Sequence, residues 1–251
     1  DFIRRRDLPT TEALDLADPG RVTLILNWLE ENGNVSSHDA VGRRVFWLDE
    51  DQMIRVSYYR NVVVHFFINR AIAEMALTSV IGDPDGSVEA AQERMLALRD
   101  LLKFEFFFPE KNEFLGLVSD DIEVDVPAWE DLLKSAGPAE VLAKMGDAVA
   151  YWAVLAFLDA YQIVGDELES LDNPFDEKTF LHSCMDRARM YRIEERVFSG
   201  ESVNQVLFKS ALRLARNRDL VEDSPDVAQR RAGFATEVRE ACDRAGRGLA
   251  G

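Results

Sequence analysis

A chain of 251 residues with an ordinary share of apolar side chains is long enough for one large domain or two small ones, and can bury a proper core. Its 46 Asp and Glu outnumber 29 Lys and Arg, for a net charge of −17. That balance disfavours nonspecific nucleic-acid binding, which needs cations to neutralise phosphates, and electrostatic adhesion of this chain alone to an anionic membrane.

The first expected helix opens at Asp18-Pro19-Gly20, shows one apolar face through Val22, Leu24, Ile25, Trp28 and Leu29, and stops at Gly33. Val45–Val56 alternates around Asp49-Glu50-Asp51, the pattern of a short β-hairpin. A helix from Ser57 to about Ser79 follows. Its first part, SYYRNVVVHFFINRAIAE (Ser57–Glu74), sets Arg60, Asn61, His65, Asn69, Arg70 and Glu74 among Val, Phe and Ile, which predicts a buried helix. Asn61, His65 and Asn69 recur every four residues and form one polar ridge. Polar groups carried into a core cost about 1–3 kcal/mol each when unpaired. The ridge therefore needs partners in this chain or on a neighbouring domain.

Gly82–Gly86 is a clear break and the best candidate subdomain boundary, near 82–87. It is too short for a flexible linker, so residues 1–251 are expected to form one continuous unit. Ser87 caps a helix whose face is Val88, Ala91, Met95, Leu98 and Leu102, and Pro109 ends the aromatic run Phe104–Phe108. Gly137-Pro138 opens a long helix toward Gly165 or beyond. This helix holds the longest apolar run, Ala148–Leu158, which falls short of the about twenty residues of a membrane span. The run is read as a core helix. Asn173-Pro174 is another break, and two helices joined near Ser199-Gly200 occupy Phe175–Val221. Ser202–Gln205 has the pattern of a capping box before a face of Val203, Val206, Leu207 and Leu214. A charged helix from about Pro225 runs into a Gly-rich tail after Arg244. The fold class is mainly α: a multi-helix, bundle-like domain with a short β-hairpin near 45–56.

Each candidate site has a structural competitor. A lone His on an apolar helix, as at His65, is more often a satisfied core residue than a base. Arg60 suits a phosphate, but Glu105 lies between Phe104 and Phe106, and an unpaired buried carboxylate is expensive. Arg60 is therefore the preferred partner of Glu105. Arg187, Arg189, Arg192 and Arg196 could pass for a DNA face, yet Asp186, Glu194 and Glu195 interleave with them, as on a solvated helix. Asp120, Asp121, Glu123 and Asp125 lack the spacing and central Gly of a calcium loop and read as surface acidity. Cys184 and Cys242 have no zinc or redox spacing, which fits a reduced cytosolic compartment. No metal and no cofactor is expected.

Tyr58-Tyr59-Arg60-Asn61 followed by His65 resembles the YYRN-x-x-x-H motif in the C-terminal region of PlsB-type glycerol-3-phosphate acyltransferases. Val45–Leu48 and Met53–Val56 before it, Leu101–Phe108 with its internal Glu105, Ala148–Leu158 and Phe198–Asp223 resemble further family segments in the same order. The resemblance covers roughly residues 20–223, and the excess of Arg over Lys fits a GC-rich, actinobacterial source. It implies that the parent enzyme transfers an acyl group from acyl-CoA or acyl carrier protein to the 1-hydroxyl of glycerol 3-phosphate. The product is lysophosphatidate, at the entry to phospholipid synthesis. It implies a peripheral place at the cytoplasmic face of the membrane, contacted through the parent enzyme, with no transmembrane helix in this chain. It marks Tyr58, Tyr59, Arg60, Asn61, His65 and Glu105 as a structural or interdomain motif rather than catalytic residues.

The family's catalytic H-x-x-x-x-D is missing: five residues after His38, His65 and His182 stand Arg43, Arg70 and Arg187. Its Glu-Gly-x-Arg block is missing too. Phe2-Ile3-Arg4-Arg5 has the letters of the family's glycerol-phosphate-contacting FIRR block, but lacks its flanks and is read as coincidence. The chain opens at Asp1 with no initiator Met and no signal peptide, so it reads as a non-catalytic portion of the enzyme, packed on an acyltransferase domain not in this chain. The alternative is a stand-alone helical scaffold or interaction protein that kept this fold without the catalytic half.

Overall fold

The computed structural model describes residues 5–6, 18–83, 86–171, 174–197 and 200–246. Contacts divide the chain into two compact units, Asp1–Phe66 and Phe67–Gly251. The division falls inside the segment expected to be one buried helix. Residues 2–4 of the FIRR tetrapeptide, together with Asn173, Phe198 and Ser199, lie outside the described residues.

In unit 1, helix α1 (Pro19–Glu31) begins as its sequence predicts. Asp18 accepts from the Gly20 N–H at 2.9 Å, and Pro19 takes the first helical position, where its missing N–H costs nothing. Gly33 follows at φ +69°. The β-hairpin is present but lies earlier than 45–56: strand β1 (Ser36–Ala40) pairs antiparallel with β2 (Arg43–Trp47), Ser36 opposite Trp47. Its two-residue turn, Val41-Gly42, holds both residues at positive φ, 45° and 77°, the geometry that matches strand twist. A β-branched residue is an outlier there, so the sequence carries no ordinary turn signal. Asp49-Glu50-Asp51, expected as the turn, instead opens helix α2 (Glu50–Val63), where the Asp49 N–H donates to Gln52 Oε1 at 2.8 Å.

The expected Ser57–Ser79 helix is broken. After α2 the chain tightens into a 3₁₀ turn, Val64–Phe66, and helix α3 (Ile68–Ser79) starts anew. The β-branched run Val62-Val63-Val64, poor in helix propensity, precedes the break. The Asn61–His65–Asn69 ridge is therefore not continuous, and Asn61 and His65 are exposed. The core of the segment is its second half, where Ile68 and Arg70 through Leu77 are buried; before them only Val64 is, among the residues whose burial is described.

Every regular element among the described residues of unit 2 is a helix. After α3 come α4 (Val88–Leu102), α5 (Lys111–Glu123), α6 (Trp129–Ala136), α7 (Pro138–Met145), α8 (Ala150–Glu169), α9 (Glu177–Ile193), α10 (Gln205–Asn217) and α11 (Val227–Gly246). Ser87 caps α4, accepting from the Ala90 N–H at 3.1 Å, and its predicted face, Val88, Ala91, Met95, Leu98 and Leu102, is buried. The single long helix expected after Gly137 is two, α7 and α8, parted at Gly146, whose φ of +84° no helix accommodates. The α10 cap is Asn204, which accepts from the Val206 N–H at 2.8 Å; Ser202, expected in that role, is fully buried and turns to Asp159. With the cap shifted, Val206 is exposed, and the buried face is Phe208, Ala211, Leu212, Leu214 and Ala215.

Helix α8 is the axis of unit 2, packed by α3, α9, α10 and most extensively α11. A Cβ built on Gly165 would stand 3.3 Å from the Ala235 Cα, so the missing side chain lets α8 and α11 approach closely. Within the Ala148–Leu158 run, Ala150 and Ala153 through Leu158 are core as expected, while Ala148 and Trp152 are exposed. Among the described residues, no single helix is long and apolar enough to cross a membrane.

Candidate functional site

The motif residues of unit 1 sit on the exposed side of α2 and the turn after it. Tyr58 and Tyr59 are 72% and 68% exposed, with their rings edge to face at 5.7 Å. This corrects the expectation of an all-round buried helix: the polar residues of α2 are spread round its circumference, and no stripe is left to bury. Arg60, half-buried, donates to Asn61 Oδ1 at 2.9 Å. The His65 ring rests on Phe66, with centroids 4.0 Å apart.

What fixes α2 within unit 1 is polar. Gln52, buried, donates to Ser36 Oγ at 3.0 Å and to the Gly33 carbonyl at 3.3 Å, and Arg55 donates to the same carbonyl at 2.9 Å. Beside this clasp, α1, β2 and α2 leave an apolar groove of about 590 Å³ between Leu26, Leu29, Phe46, Trp47, Val56 and Tyr59. Arg44, on the same strand face as Phe46, ties β2 to α1 by donating to Glu30 at 2.6 Å.

The second polar centre lies in unit 2, at the end of the notable segment rather than its middle. Arg70 is 1% exposed and donates from Nε to Glu74 at 2.6 Å, from Nη1 to Asp125, and from Nη2 to the Met145 carbonyl at 2.6 Å. The other Glu74 oxygen accepts the N–H groups of Val149 and Ala150, both at 2.8 Å, where α8 begins. One buried network thus joins α3, the end of α5, the end of α7 and the start of α8. Burial pushes the Glu74 carboxyl above its ordinary range, while Arg70 and the two N–H groups pull it back.

Asp125 is not surface acidity: its side chain is 4% exposed. The signal was its place three residues after Ile122, on the stripe Val118, Ile122 and Val126 that α5 and its exit bury. Among the described residues no group of three or more His, Cys, Asp or Glu is placed to hold a metal.

Glu105 lies past the end of α4 with Tyr161 of α8 and Ser210 and Arg213 of α10 acting on it; burial raises its carboxyl, and these groups lower it. Its Oε1 and the Tyr161 hydroxyl are both buried without a formed hydrogen bond. Arg213 also lies over the Phe104 ring, 4.9 Å from its centroid. Glu105 therefore has a cation, Arg213, within its own unit.

The supposed DNA face is partly structural. Arg187 donates to Glu167 at 2.6 Å, and Arg196 stacks 3.8 Å from the Tyr191 centroid. The Tyr191 hydroxyl donates to buried Asp166 at 2.7 Å, and Arg239 of α11 donates to the other Asp166 oxygen at 2.8 Å. Asp166 thus gathers α9 and α11 onto α8. Arg189 pairs within its own helix, with Asp186.

A family model described as the glycerol-3-phosphate acyltransferase C-terminal region matches residues 1–224. The chain belongs to this family. Proteins of Mycobacterium bovis and Mycobacterium tuberculosis that bear the name plsB1 and the designation acyltransferase are 35% identical to it over 97% of its length. The chain spans 40% of the length of these relatives. No solved structure matches it. Both polar centres, the Arg70 network and the Asp166 cluster, fall within or at the end of the region that the family model covers, apart from Arg239.

Proposed function

We propose that this chain is the non-catalytic helical portion of a glycerol-3-phosphate 1-O-acyltransferase. The parent enzyme transfers an acyl group from acyl-CoA or acyl carrier protein to glycerol 3-phosphate and releases lysophosphatidate. The observation that carries this reading is the family match over residues 1–224 in a chain with no His followed by an acid five residues on. Without that pair no base is placed to take the proton of the attacking hydroxyl. The portion's work is then mechanical: it packs on the acyltransferase domain of the same polypeptide and holds it in shape. Tyr58, Tyr59, Arg60, Asn61 and His65 serve that packing, Glu105 serves it indirectly by holding unit 2 together, and membrane contact at the cytoplasmic face comes through the whole enzyme.

The test has two parts. The coding sequence upstream of Asp1 should contain H-x-x-x-x-D followed by a Glu-Gly-x-Arg block. The full-length enzyme should form lysophosphatidate from glycerol 3-phosphate and acyl-CoA, and the 251-residue chain should not. Turnover by the isolated chain at the full-length rate would overturn the assignment.

A further inference from the structure

Unit 1 has the elements of a small domain and almost none of the burial. Among its described residues only Val35, Gln52 and Val64 are buried, and α1 buries none of its apolar side chains. Leu24 and Trp28 on α1 are 68% and 59% exposed, and Trp47 on β2 is 43% exposed. Exposed apolar surface of this kind, rich in large aromatics, marks a contact that is made elsewhere. Its centre is the groove of about 590 Å³ between α1, β2 and α2.

We infer that this groove receives apolar side chains from the part of the parent polypeptide outside this chain. The inference rests on the reading of the chain as a portion of a longer acyltransferase. Two observations select this occupant. The relatives are longer: the chain matches 40% of their length, so family members supply additional polypeptide. Arg44 lies over the Phe46 ring, 5.5 Å from its centroid, but its charge is taken up by Glu30, and the groove lining itself contains no Lys or Arg, so a phospholipid headgroup or the phosphates of an acyl donor find no free counter-charge there. Its polar groups, Asn34 and the Tyr59 hydroxyl, suit the few hydrogen bonds of a protein interface.

The experiment places a thiol in the groove by Leu26→Cys, in both the 251-residue chain and the full-length enzyme, and follows its reaction with a maleimide. Modification is read at residue 26 by peptide mass spectrometry, which separates it from the native thiols, buried Cys184 and half-buried Cys242. The position should react at least tenfold more slowly in the full-length enzyme, with or without lipid vesicles. Equal rates in the two proteins, fast or slow, overturn the inference: fast means an open groove, slow means the chain covers it unaided. Protection that appears only with vesicles of anionic phospholipid also overturns it, because the occupant is then lipid. Hydrogen exchange over residues 20–60 of the unsubstituted proteins reads the same protection without the new thiol. Acyltransferase activity of the same full-length preparation, assayed in parallel, tests the functional reading separately.

Discussion

Arg70→Ala tests how unit 2 is held together. Arg70 makes three charge-assisted hydrogen bonds in a site where its side chain is 1% exposed, and two of its acceptors are the carboxylates of Glu74 and Asp125. Hydrogen bonds to charged groups are worth about 1.5–3 kcal/mol each, so three would sum to about 4.5–9 kcal/mol. The loss is smaller in practice, because a stranded carboxylate can take up a proton. Removing one partner of a buried ion pair costs about 3–5 kcal/mol. For a domain of 150–250 residues about 2–4 °C of melting temperature corresponds to each kcal/mol, which gives a fall of about 6–20 °C.

The pH dependence supplies the sharper check. Arg70 is what pulls the Glu74 carboxyl down against burial, so its removal raises the folded-state pKa further above the unfolded value of about 4.3. A carboxyl raised in the folded state favours folding when protonated. Its contribution is present below the unfolded pKa and is lost as pH rises through the folded one. The variant should therefore be most destabilised near neutrality, and the gap to the parent should narrow as pH falls toward about 4. Melting curves followed by circular dichroism between those limits decide it. A variant that melts within a degree of the parent at neutral pH, or whose deficit grows on acidification, refutes the network as described.

Tyr191→Phe removes the hydroxyl that donates to buried Asp166 and should lower stability by about 1.5–3 kcal/mol in urea titrations, with the slope unchanged. Gly165→Leu forces a side chain against the Ala235 backbone and should cost about 1–3 kcal/mol. Gly233→Ala, with nothing within 4 Å of its new Cβ and no positive φ, should stabilise the same helix pair by about 0.5–1 kcal/mol, and melting temperatures of opposite sign check both. A double-mutant cycle of Glu105→Gln with Arg213→Met should give a coupling above about 0.5 kcal/mol; if the cycle with Arg60→Ala couples instead, Glu105 is an interdomain partner of Arg60.

Local rules set much of this chain. Asp18-Pro19 and Ser87 start their helices because a cap and its N–H partners lie within three residues of one another. The Met95–Leu98–Leu102 face is buried because helical spacing puts those residues on one side. The resemblance carried by YYRN, Glu105 and the order of the surrounding segments likewise named the family without a coordinate. What the sequence left open depends on residues far apart along the chain. The Ser57–Ser79 segment looks uniformly apolar, and only the fold shows that its second half meets α5, α7 and α8 while Tyr58, Tyr59 and Val62 stay uncovered. Glu74 and Val149 are 75 residues apart, as are Arg70 and the Met145 carbonyl, so no local window could pair them. Propensity could place a charged Arg in an apolar run. Tertiary structure alone decided that burying it would be tolerable, by delivering two carboxylates and a carbonyl to a guanidinium that would otherwise be stranded away from water.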